Sequence, residues 1–207
     1  EKGNIEIVKL LLSNENINVN VQIKPEVEEY SFSIKKTPLM IAIELNYIDI
    51  VKELLACENI NVNIKSPNDG HYSDRVSEPN ETALHLAVAK GNTEIVKLLL
   101  SNENIDVNMK SDWDYSIYDV YTQDRHIIYI NETALHIAVI RQYHDIIKLL
   151  ISHNNINVNE EREDRTEGRE ILKTALHLAV LNKDVEIIKL LVSVPNINKD
   201  LKDEHER

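Results

Sequence analysis

The sequence is poor in cysteine and in positive charge. Of its 207 residues, one is cysteine, and Lys and Arg together number 23 against 35 Asp and Glu. The single cysteine, Cys57, excludes an internal disulfide framework and fits a reducing compartment. We therefore expect a cytoplasmic protein, with association to the cytoskeleton as an open alternative.

The formal net charge of −12 excludes further classes of function. Nucleic-acid-binding surfaces are basic, and anionic membranes attract basic segments, so neither is an expected partner. No apolar run approaches the roughly 20 residues that span a bilayer. No signal peptide is visible either.

Motifs for cofactors and catalysis are missing as well. With four glycines the chain has no glycine-rich phosphate loop, and it has no cysteine or metal cluster. The run that begins at Asp112 starts like a calcium loop, but its sixth position is Ile117 and its twelfth is Gln123. Those positions need Gly and Glu. We expect no metal, no cofactor and no enzymatic activity, because no acid–base or nucleophile constellation can be assembled.

What the sequence does contain is a repeated pattern. The stretch from Thr82 to Leu100 predicts two short amphipathic helices that are separated at Gly91. Their apolar positions are Ala83, Leu84, Ala87 and Val88, then Ile95, Val96, Leu99 and Leu100. Neither helix can bury its apolar side alone, so each needs neighbours of the same kind.

The pattern recurs in constant register after Thr37, Thr82, Thr133 and Thr174. An acid that opens a helix follows each threonine after 12 residues, and a phrase of the Asn-Ile-Asn-Val-Asn kind ends after 26. The run from Glu6 to Asn20 matches the back half of one more unit. We therefore expect the chain to be a fragment of a longer array, or its first helix to be covered by another protein, since Leu10, Leu11 and Leu12 lack a partner.

These Thr-(Pro/Ala)-Leu-His, Glu-Ile-Val-Lys-Leu-Leu-Leu and Val-Asn phrases resemble the ankyrin repeat family. The sequence departs from the family where Met40 replaces the motif histidine and where the threonines lie 45, 51 and 41 residues apart. The resemblance implies an all-α repeat solenoid, a helix–turn–helix stack with extended β-hairpin fingers. It also implies that His85, His136 and His177 hydrogen-bond the turns, and that the protein is a non-catalytic scaffold that binds a protein partner.

On this basis the whole chain, 1–207, is one array. It divides into a partial repeat, four repeat cores and four finger inserts. The partial repeat is 1–20, the cores are 37–63, 82–108, 133–159 and 174–200, and the inserts are 21–36, 64–81, 109–132 and 160–173.

The inserts carry different predictions. Alternation in Tyr30–Ile34 suggests a strand that pairs with Val19–Ile23, and turn residues in 64–81 suggest an exposed finger. Mixed charge in 160–173 suggests a solvated loop, with a charged docking finger as the alternative. Insert 109–132 predicts a β-hairpin, since β-branched and aromatic residues flank a turn at 122–125.

The candidate partner-binding residues come from this hairpin and from the concave groove that the family geometry implies. Last-turn positions of the first helices would line the groove: Glu44 and Leu45, Ala89 and Lys90, Ile140 and Arg141, Leu181 and Asn182. Aromatic rings and arginine are enriched at interface centres, although the rings could instead pack the fingers together, and the fingers could fold over the groove. The selected residues are Trp113, Tyr115, Tyr118, Tyr121, Arg125, Tyr129, Ile140, Arg141 and Leu181.

Two other functions remain open at this stage. The array could be a regulatory arm of a larger enzyme, or a structural subunit of a cytoskeletal or other large assembly.

Overall fold

The computed structural model describes residues 5–23, 35–66, 80–118, 125–166 and 169–200. Its helices are α1 (Ile5–Leu12), α2 (Pro38–Glu44), α3 (Ile48–Leu55), α4 (Ala83–Ala89), α5 (Thr93–Leu100), α6 (Ala134–Ile140), α7 (His144–Ile151), α8 (Ala175–Leu181) and α9 (Val185–Val192). Its strands are β1 (Lys110–Tyr118), β2 (Arg125–Thr133), β3 (Glu161–Thr166) and β4 (Arg169–Thr174).

The helices form a stack of two rows. In the first row α2 contacts α4, α4 contacts α6, and α6 contacts α8; in the second row α1, α3, α5, α7 and α9 contact one another in the same order. Within each unit the first helix also contacts the second, as α4 does with α5. The predicted helix–turn–helix solenoid is confirmed.

A threonine begins each first helix. Thr82 adopts an extended conformation, and His85 closes a capping box in which the Thr82 backbone N–H donates to His85 Nδ1 at 3.2 Å. Thr133 and Thr174 make the same bond to His136 and His177. Such caps satisfy backbone donors that the first helical turn leaves without a partner. The motif histidines therefore hold the helix starts, as the resemblance implied.

A residue with left-handed backbone follows each first helix. The position is occupied by Asn46 (φ 57°), Gly91 (φ 68°), Gln142 (φ 58°) and Lys183 (φ 56°). Glycine takes this conformation freely, whereas a side chain makes it costly. Asparagine tolerates it better than glutamine or lysine, so two of the units carry backbone strain at this turn.

Glycine at these strained positions should stabilise the fold. We expect Gln142→Gly and Lys183→Gly each to raise the free energy of unfolding by about 0.5–1 kcal/mol, measured by urea denaturation. Gly91→Ala should have the opposite effect, because its φ is positive and a Cβ there would lie 3.0 Å from Tyr143 Cζ. A loss of stability in both glycine variants would contradict this account of the turn.

The core is continuous along the stack. Its largest fully buried side chains come from every complete unit: Leu39, Met40, Ile43, Leu84, Ile95, Leu99, Leu135, Ile146, Ile147, Leu150, Ile187 and Leu191. At one end of the stack Leu10 of α1 is 73% exposed and Leu11 is 52% exposed, so these two side chains lack a covering partner among the described residues. Leu12, for which the sequence also predicts no partner, is instead partly buried against the core.

Asparagine side chains link each unit to the next, in what we call the asparagine ladder: Asn20, Asn63, Asn108 and Asn159. Each uses its amide twice. Asn63 Nδ2 donates to the Asn104 carbonyl at 2.7 Å, and Asn63 Oδ1 accepts from the Asp106 backbone N–H at 2.9 Å. The other three make the equivalent pair of bonds to the following unit.

The fingers of the later units join into one antiparallel sheet in the order β1-β2-β3-β4. The predicted hairpin over 109–132 is confirmed, with Lys110 opposite Thr133 and Tyr118 opposite Arg125. The second hairpin, β3–β4, corrects the expectation of a solvated loop in 160–173. Pairing with β2, where Asn131 lies opposite Glu163, holds this charged segment in an extended conformation.

Two earlier inserts are described only at their roots. Ile23 and Lys36 form an isolated antiparallel bridge, whereas the predicted strand Tyr30–Ile34 lies outside the described residues. In insert 64–81, Ser66 donates to the Glu81 carbonyl and Asn80 pairs with Asp112 of β1. Residues 67–79 lie outside the described ranges.

Candidate protein-interaction surface

The last turns of the first helices form a row of residues that are exposed except for the partly buried Ala89. We call this row the groove strip: Glu44, Leu45, Ala89, Lys90, Ile140, Arg141, Leu181 and Asn182. Ile140 and Leu181 end the adjacent helices α6 and α8, and Asn182 Nδ2 donates to the Val139 carbonyl across the junction. Leu45 is 53%, Ile140 39% and Leu181 60% exposed. The described parts of the fingers therefore leave these aliphatic side chains accessible.

The charged side chains of the groove strip differ in their partners. Lys36 Nζ contacts both carboxylate oxygens of Glu44, at 2.7 and 2.8 Å. Lys90 and Arg141 are exposed and have no salt-bridge partner among the described residues. The free charge on the strip is thus positive, in a chain whose net charge is −12.

The predicted hairpin residues lie on neighbouring strands. Trp113 and Tyr115 are on β1 opposite Ile130 and Ile128, and Tyr129 of β2 is opposite Asp114. Tyr118 and Arg125 are opposite each other at the far end of the hairpin. Tyr121 lies outside the described residues. Trp113 is half-buried, and its indole Nε1 is buried without a hydrogen-bond partner among the described residues.

A buried charged network joins the two hairpins. Arg162 Nε of β3 donates to Glu132 Oε2 of β2 at 2.8 Å, and Arg162 also pairs with Asp164. The Glu132 and Arg162 side chains are 6% and 13% exposed. Burial raises the pKa of Glu132, while the neighbouring Arg162 opposes that shift by favouring the carboxylate. This network holds β3 against β2.

The repeated histidines are structural. The rings of His85 and His136 are buried, and desolvation lowers the pKa of His85 to about 4 and that of His136 to about 3. Both are therefore neutral at pH 7, with Nδ1 used in the helix cap. No group of three or more potential metal ligands is found within the described ranges. Asp112, from the rejected calcium loop, pairs with Lys65 at 2.7 Å.

The single cysteine is free and half-buried at the end of the second helix α3. Burial first, and Glu53 second, raise the pKa of its thiol. A raised pKa reduces the thiolate fraction at neutral pH, which makes the residue less nucleophilic. We therefore interpret Cys57 as a structural residue.

Reasoning from the sequence found the groove strip but missed the Glu132–Arg162–Asp164 network. Ile140, Arg141 and Leu181 could be selected because the geometry implied by the family resemblance directs the last turns of the first helices into the groove. Glu132 and Arg162 are 30 residues apart, and their contact depends on the register of two hairpins. The Glu-Arg-Glu-Asp-Arg sequence of β3 indicated only that this segment is highly charged.

None of the helices in the described part of the chain is long and apolar enough to cross a membrane. The comparison with curated proteins yields no significant match. Among solved structures, the chain is similar to EF0377, an ankyrin repeat protein, with 22% identity, a TM-score of 0.59, and coverage of 99% of this chain and 82% of that one. The ankyrin repeat domain of Bcl-3, a member of the IkappaB protein family, is 16% identical with a TM-score of 0.59 and coverage of 96% and 68%.

At these identities the two structures show the ankyrin repeat fold. The family model of three ankyrin repeats matches residues 1–66, 59–161 and 112–203 of the chain. These matches cover most of the helices and both hairpins described above. The chain therefore belongs to the ankyrin repeat family.

Proposed function

We propose that the chain is a non-catalytic scaffold that binds a protein partner through the groove strip and the β1–β2 hairpin. Ankyrin repeats generally mediate interactions between proteins. The observation that carries the proposal is the pair of exposed aliphatic side chains Ile140 and Leu181 at equivalent positions of the contacting helices α6 and α8, since neighbouring exposed apolar side chains mark contact sites. The rigid stack presents this pair in a fixed shape, which lowers the entropic cost of binding.

The hairpin supplies the second part of the proposed site. It places Trp113, Tyr115, Tyr118, Arg125 and Tyr129 on two paired strands, and Tyr121 belongs to the same insert. Tyrosine, tryptophan and arginine carry much of the binding energy in protein interfaces. The cytoplasmic location, the cytoskeletal assembly and the role as an enzyme arm stay predictions.

The test uses variants of the intact chain in affinity capture from native lysate, with mass spectrometry to identify retained proteins. Ile140→Asp/Leu181→Asp changes the groove strip, Tyr118→Ala/Tyr121→Ala changes the hairpin, and Lys97→Glu/Lys148→Glu is the control on the exposed sides of α5 and α7. A partner that is lost with the first two variants and kept with the control supports the proposed site. For a partner so identified, we expect the tyrosine variant to weaken binding by about 1–3 kcal/mol with the fold intact.

Equal recovery of every captured protein from all three variants would contradict the assignment. Unchanged affinity of the tyrosine variant alone would remove the hairpin from the site and leave the groove strip.

A further inference from the structure

The groove strip has a charge pattern that its aliphatic row does not explain. Lys90 follows α4 and Arg141 follows α6 at the same position of adjacent units, and α4 contacts α6. Among the described residues, Lys90 and Arg141 carry the unpaired charges of the groove strip, because Glu44 forms an ion pair with Lys36. Arg141 also acts on Glu132 through space, but that buried carboxylate has its own direct partner in Arg162.

We infer that the groove strip binds an extended segment of a protein partner in which carboxylate side chains lie beside an aliphatic one. This inference rests on the proposed function and specifies the chemistry of the partner. Carboxylates would contact Lys90 and Arg141, and the aliphatic side chain would contact Ile140 and Leu181.

The spacing of the strip sets the spacing expected in the segment. Packed helices lie roughly 8–10 Å apart, so the Cα atoms of Lys90 and Arg141 are separated by about that distance. In the extended polyproline II conformation three residues complete one turn and rise roughly 9 Å, so side chains three positions apart lie on the same side. Two acids three positions apart therefore match the two cations, and an aliphatic residue close to the acid that contacts Arg141 reaches Ile140.

Charge and apolarity together favour a protein over a nucleic acid. A polyanion would meet Lys90 and Arg141 but would leave Leu45, Ile140 and Leu181 in contact with water or phosphate. It would also meet the repulsion of a chain with a net charge of −12. A short peptide segment with acidic and aliphatic side chains can contact both the cations and the apolar side chains of the groove strip.

The experiment selects binders from a displayed library of random 12-residue peptides on the intact chain. The best peptide is then titrated against five proteins: the natural chain, Lys90→Glu/Arg141→Glu, Lys90→Gln/Arg141→Gln, Ile140→Asp/Leu181→Asp, and the control Lys97→Glu/Lys148→Glu. The control makes the same charge change on the exposed sides of α5 and α7. Far-UV circular dichroism confirms that each variant keeps its helices, and a 20-nucleotide poly(U) RNA is titrated in parallel.

We expect the selected peptides to contain two acids about three positions apart with an aliphatic residue on one side of the pair. Their affinity should fall at least tenfold with the charge reversal and several-fold with the neutral variant, and it should change less than twofold with the control. Peptides without acidic enrichment that are lost with Ile140→Asp/Leu181→Asp would overturn the acidic specificity while the proposed groove function stands. Binders that ignore every groove variant would overturn both, and tighter binding of poly(U) than of any peptide would overturn the choice of a protein segment.

Discussion

Lowering the pH from 7 to 5 should reduce the free energy of unfolding by about 4 kcal/mol through two buried histidines. His85 and His136 have folded-state pKa values of about 4 and about 3, because desolvation disfavours the charged ring. Their pKa in the unfolded chain is about 6.5. Below pH 6.5 these histidines are protonated in the unfolded state but stay neutral in the folded state. This difference lowers the free energy of unfolding by about 2 kcal/mol per histidine at pH 5.

Stability from these groups is complete above about pH 6.5 and is lost as the pH falls toward the folded-state values. Two carboxylates with shifted pKa values differ from the histidines in how they affect stability. The raised pKa of Glu132 favours the fold as the pH falls, and the pKa of Asp184 is lowered, chiefly by a hydrogen bond from the Ile187 backbone, so its contribution is lost only at lower pH. The histidines therefore dominate between pH 7 and pH 5.

The chain itself supplies the control, since Met40 stands buried at the equivalent position of another unit. His85→Met and His136→Met should each remove about half of the pH dependence, measured by urea denaturation at pH 7 and pH 5 with the fluorescence of Trp113. If the free energy of unfolding is the same at both pH values, or if the methionine variants keep the full dependence, the histidines do not act in this way.

Replacing Arg162 by Leu should destabilise the protein by about 3–5 kcal/mol, because Glu132 would be left buried without its partner. The double variant Glu132→Leu/Arg162→Leu should recover part of this loss, since it removes the unpaired charge of Glu132, while Asp164 keeps Lys173 as a partner. Lys148→Leu is the control, because the exposed Lys148–Asp145 pair at 3.7 Å should contribute less than about 1 kcal/mol.

Urea denaturation at pH 7 measures all three variants, and Trp113 on β1 reports the hairpin sheet directly. A cost of Arg162→Leu no larger than that of Lys148→Leu would show that Glu132 is adequately solvated without Arg162. A double variant as unstable as the single one would show that the arginine stem, and not its charge, stabilises the sheet.

The helical frame of this protein could be predicted because its determinants are local. Thr82 and His85 lie within one helical turn, and the apolar positions from Ala83 to Leu100 fix which sides pack. The β1–β2 hairpin was also readable, because its β-branched and aromatic residues favour strands without help from other segments.

The β3–β4 hairpin could not be predicted from the strand preferences of its own residues, because it forms through contacts with β2. Glu161–Thr166 has little intrinsic preference for a strand, and it becomes one by pairing with β2 and through the contact of Arg162 with Glu132. Exposure of Ile140 and Leu181 was equally open, since it depends on where the fingers lie in space. These features depend on contacts between distant parts of the chain, which local sequence patterns do not reveal.

The asparagine ladder has a consequence for how such a chain tolerates insertions. Every rung ends on backbone atoms of the following unit, as Asn108 does on the Asn155 carbonyl and the Asn157 N–H. Backbone atoms are the same in every residue, so a rung needs no particular side chain in the segment that it grips. The threonines of successive units lie 45, 51 and 41 residues apart, and yet the rungs keep one geometry. Finger length can therefore vary from unit to unit while the pitch of the stack stays constant.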